Sequence, residues 1–213
     1  MTAPLPRRTL LLGGLALGAA NCTRPAPDDQ PPSSPPAGRS GRVLLAYFSR
    51  AGENYYYGDR RNLTVGNTEV LATMIAELID CDTYRIEAAD PYPDSYDATV
   101  QRNTTEQDAD ARPAIANPLA SITDYDHVLL GSPIWNQRPP MIMTTFADAH
   151  DFTGLTVHPF VTYAVSGLGS TEDVYTTACT GAQISPGLAV QGEEVPQHRG
   201  DVETWLRERR LLN

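Results

Sequence analysis

The sequence contains no lysine: all 16 of its basic residues are arginine. Against them stand 26 acidic residues, for a net charge of −10 and a pI near 4.7. So acidic a chain lacks the basic face that a nucleic-acid partner requires. Cysteine is scarce, with only Cys22, Cys81 and Cys179. There is no CxxC pair, and His127, His150, His158 and His198 are scattered. Neither a zinc site nor a dithiol site is therefore expected. No G-x-S-x-G segment occurs, which removes the usual esterase elbow. Nor is any apolar run long enough to span a bilayer with ease; the longest, Thr9 to Ala20, has twelve residues.

That run has the length of a signal h-region, and it follows Arg7-Arg8. The pair with its apolar sequel resembles a twin-arginine export signal. Cys22 stands where a lipoprotein signal places its acylated cysteine, although Asn21 is unusual just before it. Residues 1–22 thus read as a signal segment, either lipidated at Cys22 or simply cleaved. Residues 23–41 are rich in Pro, Ser and Asp and cannot bury enough apolar surface to order themselves; they read as an extended tether. The folded domain is then 42–213, where 24 acidic residues face 12 arginines for a net of −12.

The domain opens on Val43-Leu44-Leu45-Ala46-Tyr47-Phe48, a short apolar run with the look of a strand buried on both faces. Ser49, Arg50, Ala51 and Gly52 follow, and Gly66-Asn67-Thr68 then leads into EVLATMIAELI, apolar at helical spacing. A strand that runs through hydroxyls and glycines into a helix is a phosphate cradle, because the first helical amides have no partner of their own. Further strands are expected at 83–87, 126–133, 156–165 and 183–190, the last weakened by Pro186 and Gly187. Helices are expected at 95–111, 141–149, 172–179 and 197–209. Strands alternating with helices imply an α/β parallel sheet. Two other strands also end in small or hydroxyl-rich loops, at Ser132-Pro133-Ile134-Trp135-Asn136 and at Ser166-Gly167-Leu168-Gly169. Ligands of such sheets lie at the carboxyl ends of the strands, and three converging tips suit a mononucleotide. Cys81 and Cys179 fall on opposite faces of this sheet and are expected to be free.

The segments YFSRAGEN, GNTEVLA, YPDSY, EQDADARP, LGSPIW, PPM and SGLGST, in that order and spacing, resemble the flavodoxin family. The resemblance is to its longer members with an interrupted first loop, and it covers most of 42–209. It implies a three-layer sandwich with a five-stranded parallel sheet in the order 2-1-3-4-5, binding FMN without a covalent link. It places Ser49, Arg50, Ala51, Asn67 and Thr68 at the phosphate. Pro133, Ile134, Trp135 and Asn136 would pass one side of the flavin ring, and Ser166, Gly167, Leu168 and Gly169 the other. An insertion, roughly Glu53 to Val65, splits the phosphate loop. Its Tyr55, Tyr56 and Tyr57 either cover the flavin or pack the insertion onto the domain. Arg50 is unusual in a loop that generally relies on N–H and hydroxyl groups, and it can point outward.

Each loop taken alone would be an ordinary turn; together they favour a flavodoxin-like electron-transfer protein or oxidoreductase. Its partner would be a redox protein or a small-molecule electron acceptor. The molecule would be exported to the periplasm or cell surface, touching the membrane only through a lipid on Cys22. An FMN-dependent NAD(P)H or quinone reductase is the alternative on the same fold. A surface binding lipoprotein that kept the fold and lost the flavin is another. No side-chain general acid or nucleophile is required by the flavin readings, and no catalytic residue or metal is expected.

Overall fold

Val43–Phe48 forms β1, and its residues divide by parity between two cores. Leu44, Ala46 and Phe48 enter one; Val43 and Leu45 enter the other. A strand that buries both faces in this way needs a helical layer on each side. The structure, a computed structural model, describes residues 41–213. The expected signal segment, Cys22 and all of the tether except Gly41 lie outside the described residues.

After β1 come β2 (Gly52–Tyr56), β3 (Asp59–Leu63), α1 (Asn67–Ala76), β4 (Asp82–Ile86) and α2 (Tyr96–Asp108). There follow β5 (His127–Pro133), α3 (Met141–Asp148), β6 (Thr156–Tyr163) and α4 (Thr171–Ala178). The chain closes with β7 (Gln183–Ile184), β8 (Leu188–Gln191), a 3-10 helix at Gly192–Gln197 and α5 (Arg199–Glu208). The main sheet runs β4-β1-β5-β6, with β7 and β8 both parallel to β6 along its outer edge. Ile142, Met143 and Phe146 of α3 and Tyr175 of α4 cover one face. Leu71 and Ile75 of α1 and Val202, Trp205 and Leu206 of α5 cover the other. Cys179 is buried in the first core and Cys81 packs against the second; both are free. Among the described residues no helix is long and apolar enough to cross a membrane.

Two features correct the expected fold. The sheet has six strands rather than five, because the final strand is broken at Ser185–Gly187. Pro186 has no N–H to give the ladder. Its carbonyl turns to the closing helix and accepts from Trp205 Nε1 at 3.1 Å and Arg209 Nη2 at 3.0 Å. The Gly187 amide goes to Glu172 Oε1 at 2.8 Å. The second feature is the insertion, which folds as a two-stranded antiparallel hairpin, β2 with β3. Tyr57 (φ 47°) and Gly58 (φ 91°) make its tip. Positive φ at both central residues is the turn whose twist matches a hairpin, and Gly58 accepts it without strain.

At the end of the sheet remote from the β1 tip, His158 is 2 % exposed. Its Nε2 lies 3.1 Å from His127 Nδ1 and its Nδ1 2.8 Å from Ser185 Oγ. Burial, then the neighbouring His127 and Arg209, pulls its pKa down from 6.5 to about 4. The unfolded chain therefore binds this proton before the folded one does. Stability from the neutral ring is complete above the ordinary histidine range and drains away as pH falls from about 6.5 to about 4, by about 3 kcal/mol. Burial of His150 acts in the same direction. In urea titrations at about pH 7 and about pH 4.5, His158→Gln is expected to lose less stability on acidification than the parent. Equal losses would contradict the buried neutral imidazole.

Candidate functional site

The carboxyl ends of β1, β5 and β6 open into one cleft, with about 570 Å³ of empty space, part of it open solvent. Ser49, Arg50, Asn67 and Thr68 line one end; Pro133, Ile134 and Trp135 line a side. The insertion does not separate the halves of the first loop in space. A Cβ on Gly66 would lie 2.4 Å from Ser49 Oγ and 2.5 Å from the Arg50 carbonyl oxygen, so only glycine permits this approach. Ser49 Oγ then accepts from the Glu69 amide at 3.1 Å, a cap supplied from across the split. Gly66 O takes the Glu69 and Val70 amides. The amides of Asn67 and Thr68 have no acceptor among the described residues. They lie at the positive end of α1, where an anion is stabilised. Thr68 Oγ1 bonds Thr162 Oγ1 at 2.7 Å, which fixes the helix start against β6.

Arg50 lines the cleft, but its guanidinium is turned to backbone carbonyls. Its Nη1 donates to the carbonyls of Pro93 at 2.9 Å and Asp94 at 3.1 Å, and its Nη2 donates to that of Glu53. Burial pulls its pKa down, opposed by Asp94 and Glu53. The guanidinium is a staple joining the β1 tip, the hairpin and the loop before α2. Its Nε alone is buried without a partner. Ala51 lies outside the cleft, in a depression beside Pro91 and Tyr92.

Trp135 sits edge-to-face against Phe48 (5.6 Å between centroids) and Tyr92 (5.1 Å). Tyr92 is itself held by a 2.8 Å bond to Glu106 Oε2; burial and that carboxylate push its hydroxyl pKa up. Such contacts fix an indole plane rather than leaving it to rotate. The next residue turns away. Asn136 is exposed, with φ 52°, and gives its Nδ2 to Gln107 Oε1 at 2.8 Å. It joins the turn to α2 and does not line the cleft. Ser166, Gly167, Leu168 and Gly169 do not line it either. They lead to Ser170, whose N–H and Oγ donate to Gln137 O at 2.8 and 3.1 Å, so this loop buttresses the Asn136–Gln137 turn. The wall expected from it is formed one step earlier, by Thr162, Tyr163 and Ala164.

Sequence reasoning missed Asn54, Tyr96, Gly192 and Glu193 on the lining, and left Tyr55 between two roles. Tyr55 faces the cleft, while Tyr57 anchors the hairpin tip: its N–H donates to Glu193 Oε1 at 3.0 Å and its hydroxyl to Glu194 Oε1 at 3.2 Å. At the hairpin base, Glu53 N–H donates to Asp94 O at 2.8 Å and Glu53 Oε2 accepts from the Tyr96 amide at 3.0 Å. The hairpin thus runs along the cleft with both ends tied. Gly192 obeys the same rule that found the other tips, a small residue directly after a strand. It went unread because the broken last strand hid its end. No group of metal-ligating side chains occurs among the described residues.

A model of the Flavodoxin family matches residues 42–209. Among solved structures, a protein provisionally named a flavoprotein from Bacteroides uniformis ATCC 8492 is 28% identical, with a TM-score of 0.62 over 79% of this chain and 99% of its own. One from Bacteroides eggerthii DSM 20697, named likewise, is 26% identical at the same TM-score, over 79% and 97%. A flavoprotein in complex with FMN from Lactobacillus acidophilus NCFM shares the fold at 18% identity and a TM-score of 0.53, over 74% and 98%. A comparison with curated proteins finds no match. The joined loop has a direct test: Gly66→Ala is expected to cost about 1–3 kcal/mol, because the new methyl meets backbone that cannot swing aside. Chemical denaturation would read this, and an unchanged midpoint would refute the close approach.

Proposed function

Because this chain belongs to the flavodoxin family, we propose that its cleft holds flavin mononucleotide and that the protein is an electron-transfer protein or oxidoreductase. One observation carries the reading. The unpaired amides of Asn67 and Thr68, at the dipole-positive end of α1, line the same cleft as the fixed edge of Trp135. A phosphate needs the first and a flat ring the second. Ser49 would keep the helix start in place, and Tyr55 and Tyr163 would close the sides. Bound there, the flavin would supply one- or two-electron transfer. The protein's share is binding, orientation and field. The domain's net charge of −12, from 24 acidic residues and 12 arginines, disfavours added negative charge in the cleft and should lower the reduction potential.

Export fits this reading, because the twin-arginine route carries proteins already folded and cofactor-loaded. We take the molecule to be periplasmic or at the cell surface, held there by residues 23–41 if Cys22 is acylated. Its counterpart would be a redox protein or a small electron acceptor. A reductase acting on NAD(P)H or a quinone is the second reading. The tied hairpin along the cleft favours it, since it narrows access to the ring.

The visible spectrum of the full chain after incubation with FMN and gel filtration tests the cofactor. Flavin bands near one per chain are expected, and bleaching by NADPH would select the reductase. A colourless protein would point instead to a binding module. The phosphate assignment is tested at one atom. Gly66 is extended (φ −70°, ψ 149°) and Asn67 is the first helical residue, so proline fits there and removes only an amide. Asn67→Pro is expected to bind FMN about tenfold more weakly than Asn67→Ala, one charge-assisted hydrogen bond being lost. Equal affinities would remove the phosphate from this helix.

A further inference from the structure

Seven of the twelve arginines in the domain hold a carboxylate within ion-pair distance: Arg42, Arg85, Arg102, Arg112, Arg199, Arg207 and Arg209. In so acidic a domain an arginine without one has been kept from its obvious partners. Arg50 is engaged by carbonyls, as described above. Arg60, on β3, is different. It is exposed, and its only side-chain hydrogen bond is a long one to the Asp59 carbonyl, at 3.3 Å. No carboxylate lies within ion-pair distance of it among the described residues. Its guanidinium lies over the ring of Tyr96, 3.6 Å from the centroid, and Tyr96 lines the cleft. Arg60 pairs across the hairpin with Tyr55, which also lines the cleft. Stacking fixes the guanidinium plane while leaving its N–H edges free, the arrangement that suits recognition of a planar or tetrahedral anion.

We propose that Arg60 is an anion-recognition point at the mouth of the cleft, for the carboxylate, phosphate or sulfonate of a small redox-active molecule. This rests on the flavin reading for the molecule's redox character, but not for its charge. The surroundings choose a small molecule over a protein. A partner with a broad acidic face would meet the domain's excess of twelve negative charges. A compact anion needs only one guanidinium within a Debye length of about 8–10 Å. The adjacent Arg61 carries the same charge in a different setting. It projects from the opposite face of the hairpin, over Tyr56, 4.7 Å from that ring's centroid. There it lines a neighbouring depression with Leu63, Val70 and Val195, which borders the cleft at Asn67 and Glu193.

Equilibrium dialysis of the full chain, incubated with FMN, against anthraquinone-2,6-disulfonate and against uncharged menadione tests the proposal. Arg60→Gln is expected to weaken disulfonate binding about fivefold at low ionic strength. Arg61→Gln, with the same change in net charge, is expected to weaken it by less than about twofold, and menadione should not respond to either. Equal effects of the two substitutions would reduce the finding to net charge and overturn the proposal, as would failure of the disulfonate to bind. A protein that stays colourless but still loses disulfonate on Arg60→Gln would sink the flavin reading and leave the anion point standing.

Discussion

Everything at the cleft depends on one backbone approach. Gly66 comes so close to Ser49 and Arg50 that any side chain would collide with them. That contact returns the chain to the β1 tip after the hairpin excursion, and it lets Ser49 cap a helix that begins eighteen residues later, at Asn67. The capping bond satisfies one amide of the first turn and leaves Asn67 and Thr68 open. A helix start with every amide satisfied would have no call for an anion. One left exposed to solvent would gain little from it. Here the two open amides are set in a cleft, where the dipole acts with less screening.

The rest of the cleft is positioned by polar staples rather than by apolar packing. Arg50 spends its Nη donors on three carbonyls from two segments, the hairpin and the loop before α2. Glu53, Glu193 and Glu194 accept amides or a hydroxyl from the hairpin and from α2. Such bonds give precise placement with modest net stability. The aromatic trio of Phe48, Tyr92 and Trp135 supplies the one apolar fixture, and it continues the first core up to the cleft. The acidic character of the domain is therefore partly structural: several of its carboxylates hold loops.

Much of this was legible in the residues. The parity of β1, the small residues after strand ends and the helical spacing after Thr68 each reflect a local rule. They led to the α/β sheet and to Ser49, Asn67, Thr68, Pro133, Ile134 and Trp135 lining one cleft. Arg50 was legible as unusual in a phosphate loop, but not its partners, because two of its three carbonyls come from Pro93 and Asp94, more than forty residues away. Ser166 to Gly169 lie just beyond the lining, whose wall on this side is Thr162 to Ala164. Pro186 showed that the last strand was weak without showing that both halves would still pair with β6.

The sequence alone determined that strands would alternate with helices, that β1 would be buried on both faces, and that a hydroxyl and a glycine would meet the start of a helix. These follow from periodicity and backbone chemistry, which act over a few residues. Only the tertiary structure decided that the split loop closes through Gly66, that the hairpin lies along the cleft, and that Arg60, unlike Arg50, keeps most of its donors free. Those outcomes depend on which distant carbonyls, carboxylates and rings arrive beside each side chain, and such neighbours are set by the packing of the whole sheet.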